Sequence, residues 1–469
     1  MENGYDAIVV GGGVSGLLSA LSLSKEGKNV LLLEKEDFLG GNLRTYTVDG
    51  YTVDTGLHAI THIDDGPLRK LMDDYFNIIP RFMPYGDYHV RTRKKLVAFP
   101  WTMQAWVGFD VLPQKDRMAI SSLLGSSVAF SIFGSVDKDQ SVYDFLRKND
   151  FSEKTWNFID TMCYFMSGKD MRKTPVWRIL KGARYMDEDK KDFIGDKVMG
   201  HIASFAKLVS YDGSYHQAYP RGGVGAITDC IVGSFPAGRV TVKCGEAVTS
   251  INGREKVTGV STAEDNYDSD AVVYSGYMKD LPRLAKELPK HYVADLDSLE
   301  QTKSLTVWLG LGRKLREFDY MGSEIWFEEG QHYWAMATSN YNESFAPPGK
   351  QLVGFTSILN GNAKSGERRL MESIYTAIPR IQDHVEFKHV QVAIPEKASI
   401  TVGSKFPSPR SPLKGLYLVG TDTDLRSMGV TRAAFSVLEM LSLMRHDEGK
   451  PPKPKPQKKH GKNHKLAYN

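Results

Sequence analysis

Cysteine is scarce in this chain: 469 residues hold three, Cys163, Cys230 and Cys244, set far apart. Such spacing builds neither a zinc-type pair nor a disulfide framework, so no metal site is expected and a reducing compartment is. Long apolar runs are missing as well. The longest uncharged stretch, Met118 to Val136, carries six serines and two glycines and is too polar for a membrane span. It suits a cavity-lining helix or one lying at a bilayer surface. Basic surface is also short. The formal charge is +4, but seven lysines and no acid lie between Gly449 and Asn469, so the rest of the chain carries −3. A body of that charge is not suited to nucleic acid. The tail, with four prolines set among its lysines, predicts disorder or polyproline structure. It either solubilises the chain or touches anionic headgroups, at about 1 kcal/mol per lysine. No room for a secretory leader precedes the first strand, so the expected location is cytoplasmic, with peripheral membrane contact through the tail or residues 118–136.

What is present begins at once. Asp6 to Val10 reads as a strand, Gly11 to Gly16 as a glycine turn opening a helix, and Asn29 to Leu33 as a second strand ending in Glu34. Gly11 permits the sharp turn, Gly13 lets backbone approach a pyrophosphate, and Gly16 lets helix and strand pack closely. Val14 and Ser15 start the helix, whose N–H groups and positive dipole end face the phosphates. Glu34, 18 residues past Gly16, can accept both hydroxyls of an adenosine ribose and repels a 2′-phosphate.

Further along, Tyr46 to Val53 alternates around a hairpin-like Asp49-Gly50. From about Ile60 to Val209 the pattern becomes irregularly amphipathic and rich in aromatics and methionine, which predicts a mostly helical insertion with a large apolar interior. Short strands return at Val240–Val242, then at Ala247–Ile251 and Val257–Val260, the last two joined through Asn252-Gly253 as a hairpin. Ala271 to Gly276 reads as the closing strand of that segment. A second insertion follows, with strands at Ser304–Leu311, Tyr333–Thr338 and Leu352–Leu359. Gly415 to Thr423 is another strand and turn, before a helix from Gly429 to Arg445. Signals for one nucleotide fold at the beginning, middle and end imply a cofactor domain in three pieces and a substrate domain in two.

Four segments carry a resemblance: Val10 to Gly16; Glu34 to Arg44 with Gly40 and Gly41; Tyr219-Pro220-Arg221-Gly222-Gly223; and Gly420 to Ala433. Together they are similar to the FAD-binding motifs of the flavin amine oxidase superfamily. The layout, with Asp54 to His62, is most similar to its phytoene desaturase-like branch. The resemblance implies an α/β fold: a Rossmann-type FAD-binding domain assembled from discontinuous segments (1–60, 212–280 and 400–446), an inserted α+β substrate domain (61–211 and 281–399), and a disordered basic tail at 447–469. It implies cofactor contacts from Gly11, Gly13, Val14, Ser15, Gly16, Glu34, Lys35, Gly41 and Arg44. In the same way Val248 would meet the adenine, Asp422, after Gly420, the pyrophosphate and ribityl chain, and Gly56, Leu57 and His58 the isoalloxazine ring. Gly429, Val430 and Thr431 would start a helix aimed at the flavin N1/C2 carbonyl, where negative charge gathers on reduction.

The expected function is oxidoreduction of a hydrophobic isoprenoid, desaturase-like, by hydride transfer to flavin N5. His58, His62 and Arg426 are the candidate catalytic groups, with Arg432 a second cation for an anionic group or the reduced flavin. Tyr219 and Arg221 are expected to line the flavin site through their backbone. Asp422 stands where amine oxidases usually have Glu, and Ser427-Met428 replace an aromatic amine-cage residue, which counts against an amine. A redox-neutral carotenoid isomerase or UDP-sugar mutase, an amine or protoporphyrinogen oxidase, and a flavin-binding membrane module without turnover stay open.

Overall fold

The computed structural model describes residues 4–133, 139–182, 217–328 and 331–451. The lysine-rich end from residue 452, the last part of the 118–136 segment and the boundary at 211/212 lie outside the described residues.

Five short strands make a wholly parallel sheet in the order Val240–Lys243, Val30–Leu33, Ala7–Val10, Val272–Tyr274, Leu416–Leu418. The strands Ala7–Val10, Val30–Leu33, Val272–Tyr274 and Leu416–Leu418 are buried at every position, as a sheet covered on both faces requires. Strand alternation divides their side chains. Ala7, Val9 and Leu32 join the cluster formed by helix Val14–Lys25 and the terminal helix Gly429–Asp447. Ile8, Val10, Leu31 and Leu33 pack instead against Ile251, Val257 and Tyr267 of a small antiparallel sheet.

Val272–Tyr274 is the expected strand closing the middle segment, and it lies between Ala7–Val10 and the edge strand Leu416–Leu418. One expected detail differs: the hairpin strand runs on through Asn252 and Gly253, so the loop is 254–256 and not Asn252-Gly253. Gly253 has φ +121°, and a Cβ there would lie 2.0 Å from the Lys256 carbonyl oxygen, so glycine serves an irregular strand end and not a two-residue turn.

The second sheet is mixed and seven-stranded: Val385–Ala393, Ser304–Leu311, Gln351–Ile358, Tyr333–Met336, Gly322–Trp326, Asp87–Arg91, Leu96–Ala98. Neighbours are antiparallel except the parallel pair of Gly322–Trp326 with Asp87–Arg91. Helix Ala363–Ala377 lays Leu370, Ile374 and Ala377 on one face of it. The stretch expected to be mostly helical therefore supplies two of these strands, and a third, Phe82–Pro84, pairs with Gln217–Pro220. Arg91 explains part of the difference. Its charge looks unsuited to a core strand, yet Nε donates to Oε1 of the fully buried Glu324 at 2.6 Å. Among the described residues no helix is long and apolar enough to cross a membrane.

Candidate functional site

The glycine turn meets its steric demands one glycine at a time. Gly11 has φ +103°, and a Cβ on Gly16 would lie 1.9 Å from the Gly11 carbonyl oxygen. Nothing lies within 4 Å of the corresponding position on Gly13, which opens onto space. Gly41, at φ +57°, approaches from the other side, its Cβ position 3.4 Å from the Gly13 Cα. Helix Val14–Lys25 has no side chain capping its start, so its first N–H groups are left for a ligand. Beyond the turn, Glu34 accepts from the Gly12 N–H at 2.6 Å through Oε2 and from the Glu36 N–H at 2.9 Å through Oε1. Its carboxylate is thereby fixed with lone pairs to spare.

These residues line one end of a cavity of about 1050 Å³, at the top of the range usual for ligand sites. Gly11, Gly13, Val14, Ser15, Glu34, Lys35, Gly41 and Val248 are at this end. Lys35 is largely exposed and sits 3.5 Å from Glu36. Gly16 is covered by the turn itself. Arg44 is not on the wall: its guanidinium lies 3.9 Å from the Phe38 ring centroid and 5.0 Å from that of Tyr46.

The middle of the cavity holds a group of charges that sequence reasoning missed. Lys397 is on the wall, donating to the Gly276 carbonyl at 3.0 Å and to the Ser275 carbonyl. Burial pushes its pKa down, opposed by Asp422 and Glu34. Asp422, behind the wall, accepts from the Met278 N–H at 2.9 Å, while its Oδ1 is buried without a partner. Burial raises the Asp422 pKa, opposed by Lys397. Gly420 permits this approach, since a Cβ there would stand 2.6 Å from Asp422 Oδ1 and 3.2 Å from Lys397 Nζ. An orphaned acceptor beside a buried cation, downstream of an open glycine turn, fits the hydroxyls and phosphates of a long dinucleotide.

Gly429 and Val430 line the next part of the wall. Here the Gly429 N–H donates to Glu396 Oε1 at 2.5 Å, so a side-chain carboxylate occupies the helix start. Arg432, 2% exposed, reaches Glu396 at 3.3 Å and donates to the Ser427 carbonyl. The buried Arg178 donates to the same carbonyl at 2.9 Å, and burial, then Arg432, pushes its pKa down to about 9. Thr431 turns away and bonds the Thr61 carbonyl at 2.9 Å. No spacing in the sequence marks Glu396, Lys397 or Arg178, which reach this place from distant segments.

Of the three candidate catalytic groups, only His58 lines the cavity, with Leu57 beside it. Its Nε2 lies 2.8 Å from the Thr55 carbonyl, which can only accept, so Nε2 is the donor in this pair and Nδ1 is not engaged by it. Gly56 sits behind Leu57, its N–H donating to Gln391 at 3.0 Å. His62, at φ +54°, is set back from the wall, its carbonyl accepting from the Gly66 N–H at 2.8 Å. Arg426 is held by Asp424 at 2.6 Å and covers the Phe435 ring at 4.2 Å, also off the wall. Tyr219 is likewise off the wall, fully buried with its hydroxyl on Asp54 at 2.5 Å, and Arg221 faces solvent. The far end is aromatic: Tyr85, Tyr88, Tyr164, Phe165, Met166 and Trp334 line it and carry no formal charge. Among the described residues no group of three His, Cys, Asp or Glu side chains could hold a metal ion.

Comparison with known proteins agrees with this geometry. A family model described as flavin containing amine oxidoreductase matches residues 14–436. A 1-hydroxycarotenoid 3,4-desaturase of Flavobacterium sp. (strain P99-3) is 25% identical over 295 residues, 57% of this chain and 55% of that protein, so the match spans about half its length. A carotenoid 3,4-desaturase of Haloarcula japonica is 23% identical over 384 residues, 74% of each chain. Among solved structures, an oxidoreductase from Methanosarcina mazei superposes with a TM-score of 0.73 at 20% identity, covering 94% of this chain and 99% of that one.

Proposed function

The chain belongs to the flavin containing amine oxidoreductase family and is an FAD-dependent oxidoreductase, and we propose that its substrate is a hydrophobic isoprenoid chain, desaturated at the aromatic end of the cavity. The observation that carries this reading is the division of one cavity into a hydrogen-bonding half and an uncharged aromatic half. Apolar walls of that kind hold a polyene by area and shape. The two carotenoid desaturase relatives support the same substrate class.

In this proposal Gly11, Gly13, Gly41 and the start of helix Val14–Lys25, at Val14, Ser15 and Gly16, hold the pyrophosphate. Glu34 takes the ribose hydroxyls and Val248 meets the adenine. Asp422 and Lys397 face the linking chain, and Gly429 and Val430 approach the ring system, with Thr431 turned away from it. When bound, FAD supplies a hydride acceptor at flavin N5. The aromatic walls place a C–H bond of the chain and exclude water. His58, with Nε2 fixed on the Thr55 carbonyl, takes the proton lost from the adjacent carbon at Nδ1. A substrate of this kind is drawn from a bilayer, and peripheral contact through Val107 (54% exposed) and Met118 (53%) belongs to the same proposal.

The test is anaerobic mixing of the yellow holoprotein with a solubilised carotenoid precursor or a simple amine, and of the chemically reduced holoprotein with a UDP-sugar. Bleaching by the carotenoid precursor alone, with loss of one hydrogen pair from the product, is expected. Bleaching by the amine, or conversion of the UDP-sugar without net redox change, overturns the isoprenoid reading.

A further inference from the structure

A second cavity, of about 320 Å³, lies behind the aromatic end of the first. The two abut at Ile358, which lines both. They abut again at a ring stack: Tyr164 lines the large cavity, His332 lines the small one, and their centroids are 4.5 Å apart at 18°. One or two side chains therefore separate an aromatic chamber from a polar annex.

The annex collects unused hydrogen-bonding capacity. Arg369 projects from helix Ala363–Ala377, and Nη2 donates to the Asn360 carbonyl at 2.7 Å. No carboxylate pairs with Arg369 among the described residues. His332 Nε2 is buried with no hydrogen-bond partner, an uncommon state for a ring nitrogen. Burial pushes the His332 pKa down to about 4, so the ring is neutral near pH 7. Ser373 and the side chains of Gln331 and Asn360 complete the polar wall. One guanidinium among neutral donors matches a single negative charge, whereas a phosphate dianion would face too few cations.

We propose that the annex binds the carboxylate end of an isoprenoid acid whose apolar chain lies in the aromatic chamber, with Arg369 pairing the carboxylate and Ile358 turning aside to let the chain pass. This rests on the isoprenoid reading above and adds to it the nature of the chain end. Nothing in the redox chemistry changes; the annex sets which end enters and how far the chain slides, and hence which bond stands beside His58.

The probes are geranylgeranoic acid and geranylgeraniol, which share a chain and differ in the end group, measured by equilibrium dialysis against the holoprotein. The acid is expected to bind wild type tenfold to a hundredfold more tightly than the alcohol, the usual range for a charge-assisted pair. Arg369→Gln should erase that preference while leaving alcohol affinity, FAD content and melting temperature unchanged, and Arg369→Lys should retain part of it. Equal binding of acid and alcohol by wild type overturns the annex proposal and leaves the isoprenoid reading standing. So does equal weakening of both probes in Arg369→Gln. Failure of both probes to bind, in a holoprotein that does bind an amine or a UDP-sugar, overturns the isoprenoid reading itself.

Discussion

The two ends of the large cavity are built by different means. At the nucleotide end the turn is backbone, and apart from Val248 the residues named there fall between Gly11 and Gly41. At the aromatic end they are side chains, and Tyr88, Phe165 and Trp334 come from three distant segments to meet edge to face at 6.0 and 5.9 Å. A backbone wall works by having no side chains where a ligand passes, so its tolerance is set by hard contact. A side-chain wall works by area, so its tolerance is graded. One end is permissive of ligands only in a narrow sense, and the other can be retuned.

The sharpest way to break that contrast is at the glycines. Gly16→Ala puts a methyl group 1.9 Å from the Gly11 carbonyl, and the strand–helix contact must open. A loss of roughly 3 kcal/mol of stability, read by denaturant unfolding, is expected. Gly13→Ala meets no protein atom within 4 Å, so the apoprotein should melt as wild type does while FAD affinity falls tenfold to a hundredfold. A Gly13→Ala protein that keeps FAD at wild-type affinity would show that the backbone wall is not where the phosphates pass.

The next effect comes from behind the aromatic end. His332 titrates at about 4 when folded, against an ordinary value of 6.5. The unfolded chain therefore binds more protons between those values. The stability from keeping the ring neutral is complete above pH 6.5 and disappears as pH falls toward 4, at most about 3 kcal/mol. His332→Phe should flatten the acid limb of a stability–pH profile in that window, and an unchanged limb would argue against a buried neutral ring. Smaller again, Trp334→Ala should raise KM for an apolar substrate roughly tenfold and leave FAD content unchanged, because it removes area and not geometry. Loss of FAD in that variant would erase the distinction between the two ends. Smallest is Arg426→Ala: the guanidinium is spent on Asp424 and Phe435, so stability should shift by less than about 1 kcal/mol and turnover should stay the same.

The same contrast explains what could be read from the sequence. The glycine turn, Glu34 and the short apolar strands were legible because their meaning is local. A parallel strand buried on both faces is a run of Val and Leu, and a dinucleotide turn is a spacing. Asp87–Arg91 was not legible as a strand, because its partner Gly322–Trp326 is more than 230 residues away and Arg91 is neutralised by Glu324 from that same partner. Glu396, Lys397 and Arg178 were invisible for a related reason. A charged residue announces a role only when its surroundings are known, and theirs are assembled by tertiary contact. His62 and Arg426, candidate catalytic groups by sequence, both sit back from the cavity wall, His62 on left-handed backbone and Arg426 paired with Asp424.

The parallel sheet also has a history in time. Its central strand, Ala7–Val10, is made before Val272–Tyr274 beside it and Leu416–Leu418 at the edge, and it waits for both. The cavity waits longer, for the helix that starts at Gly429. During synthesis the glycine fingerprint thus emerges early with its floor and far wall still unmade, and closing such long loops is slow. A fragment carrying the fingerprint alone would have the right letters and no pocket. Cofactor capture therefore needs segments from Gly11 to Gly429 to have come together, and the vitamin-derived ligand becomes a check on that assembly.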